Sequence, residues 1–246
     1  MKNTIDWDKV EFKGDKRYLS NMYVSQIKML KEYKKIFPLF EMYFDDYIYN
    51  SSEHIYQLLK FDSLEWISLI KGTDQPQKTK TLSRDYLKTD NVVRGNWDIY
   101  LKDNAMRIAL FLKFSQNKEL LKELQDAKGP LEEKNDWEDK YWGTYNGKGL
   151  NILGEMLMTI RDKGLNTLLE EETKSEILIM NYNRVEEKYR LLRKMHEDKG
   201  GFLLSDYYDS KLSLFWCLPG EDNLLELKEL EKIEKNLDDD IKELKE

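Results

Sequence analysis

The 246 residues are 40% hydrophobic and 35% charged at a mean hydropathy of -0.74, which allows one large domain, or one domain with an appendage, beneath a heavily solvated surface. Of the formal charge of -7, all but -1 lies in residues 221–246, where 11 acids face 5 lysines, and the near-neutral remainder excludes the broad basic surface of a nonspecific DNA binder. Cys217 is the only cysteine, so internal disulfides and multi-cysteine metal sites are excluded; no run approaches the roughly 18 apolar residues of a membrane span, and a cytoplasmic protein is expected.

Residues 5–12 alternate as a short strand through Trp7, Val10 and Phe12, before Gly14 and Asp15 turn the chain. In Tyr18-Leu19-Ser20-Asn21-Met22-Tyr23, Asn21 either hydrogen-bonds a ligand or closes a turn. Leu39–Phe44 and Tyr47–Tyr49 are β-prone and flank Asp45-Asp46, the pattern of a hairpin. Ser51 or Ser52 then caps a helix in which Glu53, Gln57 and Lys60, at i, i+4 and i+7, share one face. That face either lines a pocket or is a solvent face with a weak charge pair. His54 points away from it, as a packing or capping residue.

Residues 63–71 predict a helix stopped at Gly72, and 77–88 another after Pro76, both without obvious chemistry. Asn96-Trp97 opens a longer helix with Ala105, Ile108, Ala109 and Leu112 on its apolar face and Met106 and Lys113 to the side. Asn117 caps the next helix, which Gly129-Pro130 ends.

The densest chemistry lies in Leu131–Arg161, where Trp137, Trp142, Gly143, Gly147, Lys148 and Gly149 follow a run of acids. Such a mix suits a loop folded around a flat or phosphorylated ligand, although each tryptophan taken singly reads as core packing. Ile152, Leu153, Met156, Leu157 and Ile160 recur at helical spacing, with Lys163-Gly164 as the stop. Gly149 and Asn151 therefore fall at a helix N-terminus, a natural seat for phosphate, unless Asn151 is only an N-cap. GKGLNILG fits neither the Rossmann turn nor the P-loop.

These pieces, YLSNMY, SSEHIYQLLKF, NW, AMRIALFLKF, LEE, DKYWG and GKGLNILGEMLMTIR in that order, resemble the NADAR family, also called YbiA-like, over roughly residues 5–164. The resemblance implies a compact, predominantly helical α+β domain over residues 1–164 with a small β-hairpin. Residues 165–246 form an extension, mainly helical with a possible strand pair. It also implies N-glycosidase activity, either on ADP-ribosylated guanine in nucleic acid or on ribosylamino-pyrimidine phosphates of riboflavin synthesis, with no cofactor and no metal. Carried over by motif, the site residues are Glu53, Trp97, Glu133, Asp139, Trp142 and Asn151, with Asn21 and Lys60 in support. Two departures stand out: Glu133–Asp139 is one residue longer than in the family's bacterial form, and Met22 replaces an aromatic.

Cleaving a ribose C–N bond builds positive charge on C1 and the ring oxygen, so it needs a carboxylate near that centre and an acid or base beside it. Glu53 is the first choice for acid/base work and Asp139 for stabilising the developing charge. Trp97 or Trp142 stacks on the base, and the Gly147–Asn151 turn binds phosphate. Lys60 either holds Glu53 or a phosphate, or forms a Schiff base. Of the two substrate classes ADP-ribosylated guanine is preferred, because an extension beside the core suits a large substrate; a noncatalytic NAD or ADP-ribose binding module is the other reading.

Beyond Gly164, Leu178, Tyr182, Val185, Tyr189 and Leu192 predict a helix over 176–198 ending at Gly200-Gly201, and Lys211–Leu218 a buried strand. After Pro219-Gly220 an acidic helix carries a stripe of Leu227, Leu230, Leu237, Ile241 and Leu244, interrupted by Glu234. The stripe is too short to demand a coiled coil; it docks onto the same chain or mediates self-association.

Overall fold

Helices make up most of the structure, which a computed structural model describes at residues 10–12, 14–89, 91–95, 97–198 and 223–245. The helices are α1 (Ser52–Leu58), α2 (Leu64–Lys71), α3 (Pro76–Leu87), α4 (Lys102–Gln116), α5 (Lys118–Asp126), α6 (Ile152–Lys163), α7 (Asn166–Asp198) and α8 (Asn223–Lys245). The strands are two-residue ladders: β1 (Val10–Glu11) beside β4 (Leu131–Glu132) in parallel, β2 (Ile27–Lys28) against β3 (Ile48–Tyr49) antiparallel, and β5 (Lys134–Asn135) beside β6 (Thr144–Tyr145) in parallel. This is the α+β, predominantly helical class that the sequence predicts. The chain divides into Met1–Glu172 and Thr173–Glu246.

In the first unit α1 is the centre. Ser51 caps it, its hydroxyl accepting from the His54 amide at 3.2 Å and pairing with His54 Nδ1 at 2.8 Å, while His54 Nε2 reaches the Thr73 carbonyl at 3.0 Å. Ser52, Glu53, His54, Ile55, Gln57 and Leu58 are all buried, because α2, α3, α4 and β3 pack around the helix. A second cluster, of Leu110, Phe114, Leu124, Leu153, Leu157 and Ile160, joins α4, α5 and α6, and Leu165 and Leu168 pack on it, so this unit runs past Gly164.

Four expectations change. Residues 38–43 are not a strand: Pro38 opens a 3-10 helix, Pro38–Tyr43, which turns Phe40, Tyr43 and Phe44 all inward where an alternating strand would expose every second side chain. The antiparallel partner of β3 is β2, with Ile27 opposite Tyr49. Asn117 makes no side-chain cap; its amide donates to the Lys113 carbonyl at 2.8 Å, and α5 ends at Asp126, before Gly129. Met106 and Lys113 are not at the side of α4 but buried within the core. Of the strand predicted over 5–12, the described part holds Val10–Glu11; residues 5–9, Gly200-Gly201 and the Lys211–Leu218 segment with Cys217 lie outside the described residues.

In the second unit, Val185, Tyr189 and Leu192 of α7 and Ile233, Leu237 and Ile241 of α8 are buried. Glu234, which breaks the apolar stripe in sequence, is the hub of the ion pairs between the two helices, with Arg184 at 2.7 Å and Lys188 at 2.8 Å; Lys188 also meets Asp238 at 2.7 Å. The side chains of Leu227, Leu230 and Leu244 lie outside the described residues. No described helix is long and apolar enough to cross a membrane.

Lys113 is the costliest of these burials. Its ammonium donates to the carbonyls of Tyr18 and Ser20, at 2.5 and 3.1 Å, and so ties the segment carrying Asn21 to α4. Burial pushes its pKa down to about 7 from 10.5. The folded state therefore pays for a buried charge below pH 7, and that cost fades as pH rises toward 10, because the unfolded chain binds the extra proton there. Chemical denaturation at pH 7 and 9.5 should show the wild type gaining on the order of 3 kcal/mol relative to Lys113→Met over that interval. Parallel pH dependence of the two proteins would contradict this.

Candidate active site

One cavity of about 310 Å3 opens beside α1. Glu53, Tyr56, Gln57 and Lys60 line it from one helical face, and Ser20, Asn21 and Met22 close one side. Met106 of α4 contributes to the wall, Lys80, Ser83 and Arg84 come from α3, and Glu133, Trp137, Asp139 and Trp142 come from the stretch that follows β4. The volume is at the lower end of small-ligand sites.

Each carboxyl has its own support. The Glu53 amide donates to the Asn21 carbonyl at 3.1 Å, and its Oε1 accepts from Gln57 Nε2 at 2.9 Å. Asn21 is both a turn residue and a wall: its Nδ2 contacts Met106 Sδ at 3.1 Å, and its Oδ1 accepts from the Ser52 hydroxyl at 3.3 Å. Asp139 Oδ1 accepts from the amides of Tyr141 and Trp142, both at 2.9 Å, and the Asp139 amide donates to Asn135 Oδ1 at 3.0 Å. Glu133 is fixed by its backbone: its amide donates to Asn151 Oδ1 at 3.0 Å and its carbonyl accepts from the Thr144 amide at 2.8 Å.

Asn151 and Gly149 thus act as structure rather than as a phosphate seat. Asn151 adopts left-handed φ and ψ of 53 and 37°, makes no cap, and uses its side-chain amide to bridge Glu133 N and Leu131 O, the latter at 2.8 Å. The amides of Asn151, Ile152 and Leu153 donate to the carbonyls of Gly143, Tyr141 and Trp142, so the amides that open α6 are already occupied. At Gly149 an added Cβ would lie 2.3 Å from the Gly143 carbonyl oxygen, and the glycine is there for that close approach. Trp97 also departs from expectation: it is buried, packs on Tyr56 with ring centroids 5.4 Å apart, and does not line the cavity, whereas Trp142 meets Tyr56 edge-on at 5.5 Å and does.

The cavity therefore unites Asn21, Glu53, Lys60, Glu133, Asp139 and Trp142 of the expected set, and leaves out Trp97, Gly149 and Asn151. Sequence reasoning missed Lys80, Ser83 and Arg84, although their i, i+3, i+4 spacing in KTKTLSR was a readable signal.

A family model described as the NADAR domain matches residues 9–163. This chain belongs to the NADAR family. N-glycosidase YbiA of Escherichia coli is similar at 36% identity over 115 residues, 46% of this chain and 69% of that protein. A riboflavin biosynthesis protein of Vibrio vulnificus is 34% identical over 116 residues, 46% of this chain and 30% of that protein. The NMR structure of the E. coli protein YbiA superposes with a TM-score of 0.51 at 29% identity, covering 64% of this chain and 85% of that one.

Three carboxyls on one cavity shape the electrostatics of this NADAR site. Burial, reinforced by the charges of Asp139 and Glu53, pushes the Glu133 carboxyl up to about 7. Burial also raises Glu53, against the Gln57 hydrogen bond and the positive charges of Lys80 and Lys60. The Lys60 amine is lowered by burial, with Asp98 and Glu53 opposing. The site therefore holds a carboxylic acid that keeps its proton near neutral pH beside a second carboxyl whose basicity is increased.

Gly154 controls how closely α6 approaches this assembly. A Cβ there would sit 2.3 Å from Asn151 Nδ2 and 2.4 Å from the Leu131 carbonyl oxygen, and backbone cannot yield as a side chain does. Gly154→Ala should cost about 1–3 kcal/mol in chemical denaturation, through forced displacement of the Asn151 bridge. An unchanged midpoint would show that the bridge is not under that constraint.

Proposed function

We propose that this chain is an N-glycosidase that hydrolyses a ribose C1–N bond, and that its substrate is ADP-ribosylated guanine in nucleic acid. The observation that carries the reading is the convergence of Glu53, Glu133 and Asp139 on one cavity walled by Trp142 and Tyr56. The activity in the name of the E. coli relative supports it. In the proposed reaction, protonated Glu133 donates to the leaving nitrogen as the C1–N bond breaks and its electron pair moves to that nitrogen. The Asp139 carboxylate faces the positive charge that builds on C1 and the ring oxygen. Water then adds to C1 and gives its proton to ionised Glu53, which leaves an unmodified guanine in the nucleic acid and ADP-ribose with a hydroxyl on C1.

The preference for a large substrate rests on the mouth. Trp137 is 59% exposed there, with Lys80 Nζ 5.8 Å from its ring centroid, an aromatic plate open to solvent that suits a base still attached to a chain. The second reading, a ribosylamino-pyrimidine phosphate, is favoured by the modest cavity volume and by the name of the Vibrio relative. A pure binding module is disfavoured, since three carboxyls facing an anionic ligand weaken its binding.

Incubation with an ADP-ribosylated guanine oligonucleotide and, separately, with a ribosylamino-pyrimidine phosphate separates these readings. Wild type should release ADP-ribose from the first and leave the oligonucleotide unmodified, and Glu53→Gln should be at least about 100-fold slower while still binding. Binding without release by either protein would favour the module. Borohydride added during turnover should leave Lys60 unmodified; a reduced sugar adduct on Lys60 would instead establish the covalent route.

The rate should fall as pH rises through about 7, where Glu133 loses its proton, and should fall on the acid side where Glu53, raised by burial, takes one up. Glu133→Gln should remove the alkaline limb together with about 100-fold of the rate. A wild-type profile flat from pH 6 to 9 would count against Glu133 as the acid.

A further inference from the structure

We propose that Lys80, Ser83 and Arg84 of α3 form an anion seat that holds a phosphate on C5 of the substrate's ribose. The proposal deepens the glycosidase reading and rests on it, but the seat itself is argued from the cavity wall. Spacing of i, i+3 and i+4 puts all three side chains on one face of α3, and all three line the cavity. Lys80 and Arg84 are about 6 Å apart along the helix axis. Neither forms a salt bridge among the described residues. Between them Ser83 is 1% exposed, and its hydroxyl has no hydrogen-bond partner among the described residues. A buried hydroxyl in a cavity wall without a partner is unusual in a folded protein, and a ligand oxygen supplies what it lacks.

The rest of the lining has a complementary character. Glu53, Asp139 and the Gln57 Oε1, a buried acceptor that also lacks a partner among the described residues, present acceptors suited to sugar hydroxyls and to a C1 that becomes positive. Glu53 and Gln57 of α1 and Asp139 thus gather acceptors, with the Lys60 amine beside them, while α3 brings donors; a phosphorylated ribose with C1 toward the carboxyls has its anion toward α3. Lys80 offsets part of the charge of both Glu53 and Glu133, while Arg84, one turn on, offers the planar fork that matches phosphate oxygens. The opening amides of α6, the other place an anion would be sought, are occupied by the carbonyls of residues 141–143.

Titration calorimetry with ribose 5-phosphate, ribose and ADP-ribose tests the seat without requiring turnover. Wild type should bind ribose 5-phosphate at least tenfold more tightly than ribose. Lys80→Ala and Arg84→Ala, both at exposed positions, should each abolish most of that preference, Arg84→Lys should retain part of it, and Ser83→Ala should reduce it. ADP-ribose should lose the same factor as ribose 5-phosphate in each variant. Unchanged affinity of the two alanine variants for ribose 5-phosphate would overturn the proposal, as would a loss confined to ADP-ribose, which would place the contacts on its outer phosphate. An Arg84-dependent preference in a protein that cleaves neither nucleotide substrate would keep the seat and remove the glycosidase.

Discussion

A carboxyl group inside a protein is unfavourable unless something nearby uses or compensates it, and Glu53, 5% exposed on a helix enclosed except where it borders the cavity, is the constraint around which this fold is arranged. Gln57 satisfies one of its oxygens, and Lys60 and Lys80 offset part of its charge. The helix that carries it is capped by Ser51 and tied to Thr73 through His54. Such a group is kept where reactivity is worth its cost in stability.

The second half of the site reaches the first through backbone rather than through a continuous sheet. Residues 131–154 fold back on themselves as the amides of 150–153 donate to the carbonyls of 140–143, and the Asn151 side-chain amide pairs with Leu131 O and Glu133 N as a neighbouring strand would. The tight approaches at Gly149 and Gly154 are what let that stretch present Glu133, Asp139 and Trp142 together. The glycines that look like ligand contacts in the sequence are therefore contacts between pieces of the protein.

Much of this was legible from spacing. The capped helix at Ser51, the shared face of Glu53, Gln57 and Lys60, the stop at Gly72 and the helix after Asn151 follow from periodicity and caps, which depend on neighbours within a few residues. What failed depends on distant partners. Whether β3 pairs with 39–44 or with Ile27–Lys28 is decided by which aromatics the core accepts, and no local pattern records that choice. Whether helix-opening amides are vacant depends on carbonyls eight to eleven residues earlier. Trp97 and Trp142 look alike as motif members, yet Tyr56 lies against both and only one of them reaches the cavity. Lys113 read as peripheral because lysine seldom sits in a core; the carbonyls of Tyr18 and Ser20 that receive it are more than ninety residues away.

Lys80 and Arg84 stand at exposed positions on α3 while Glu53 is buried on α1, and the two kinds of position answer differently to substitution. Replacing an exposed lysine or arginine leaves the packing intact, so its effect stays with whatever meets that part of the cavity. Replacing the buried acid relieves a cost in stability and removes a reactive group in the same step, so at Glu53 folding and chemistry pull in opposite directions.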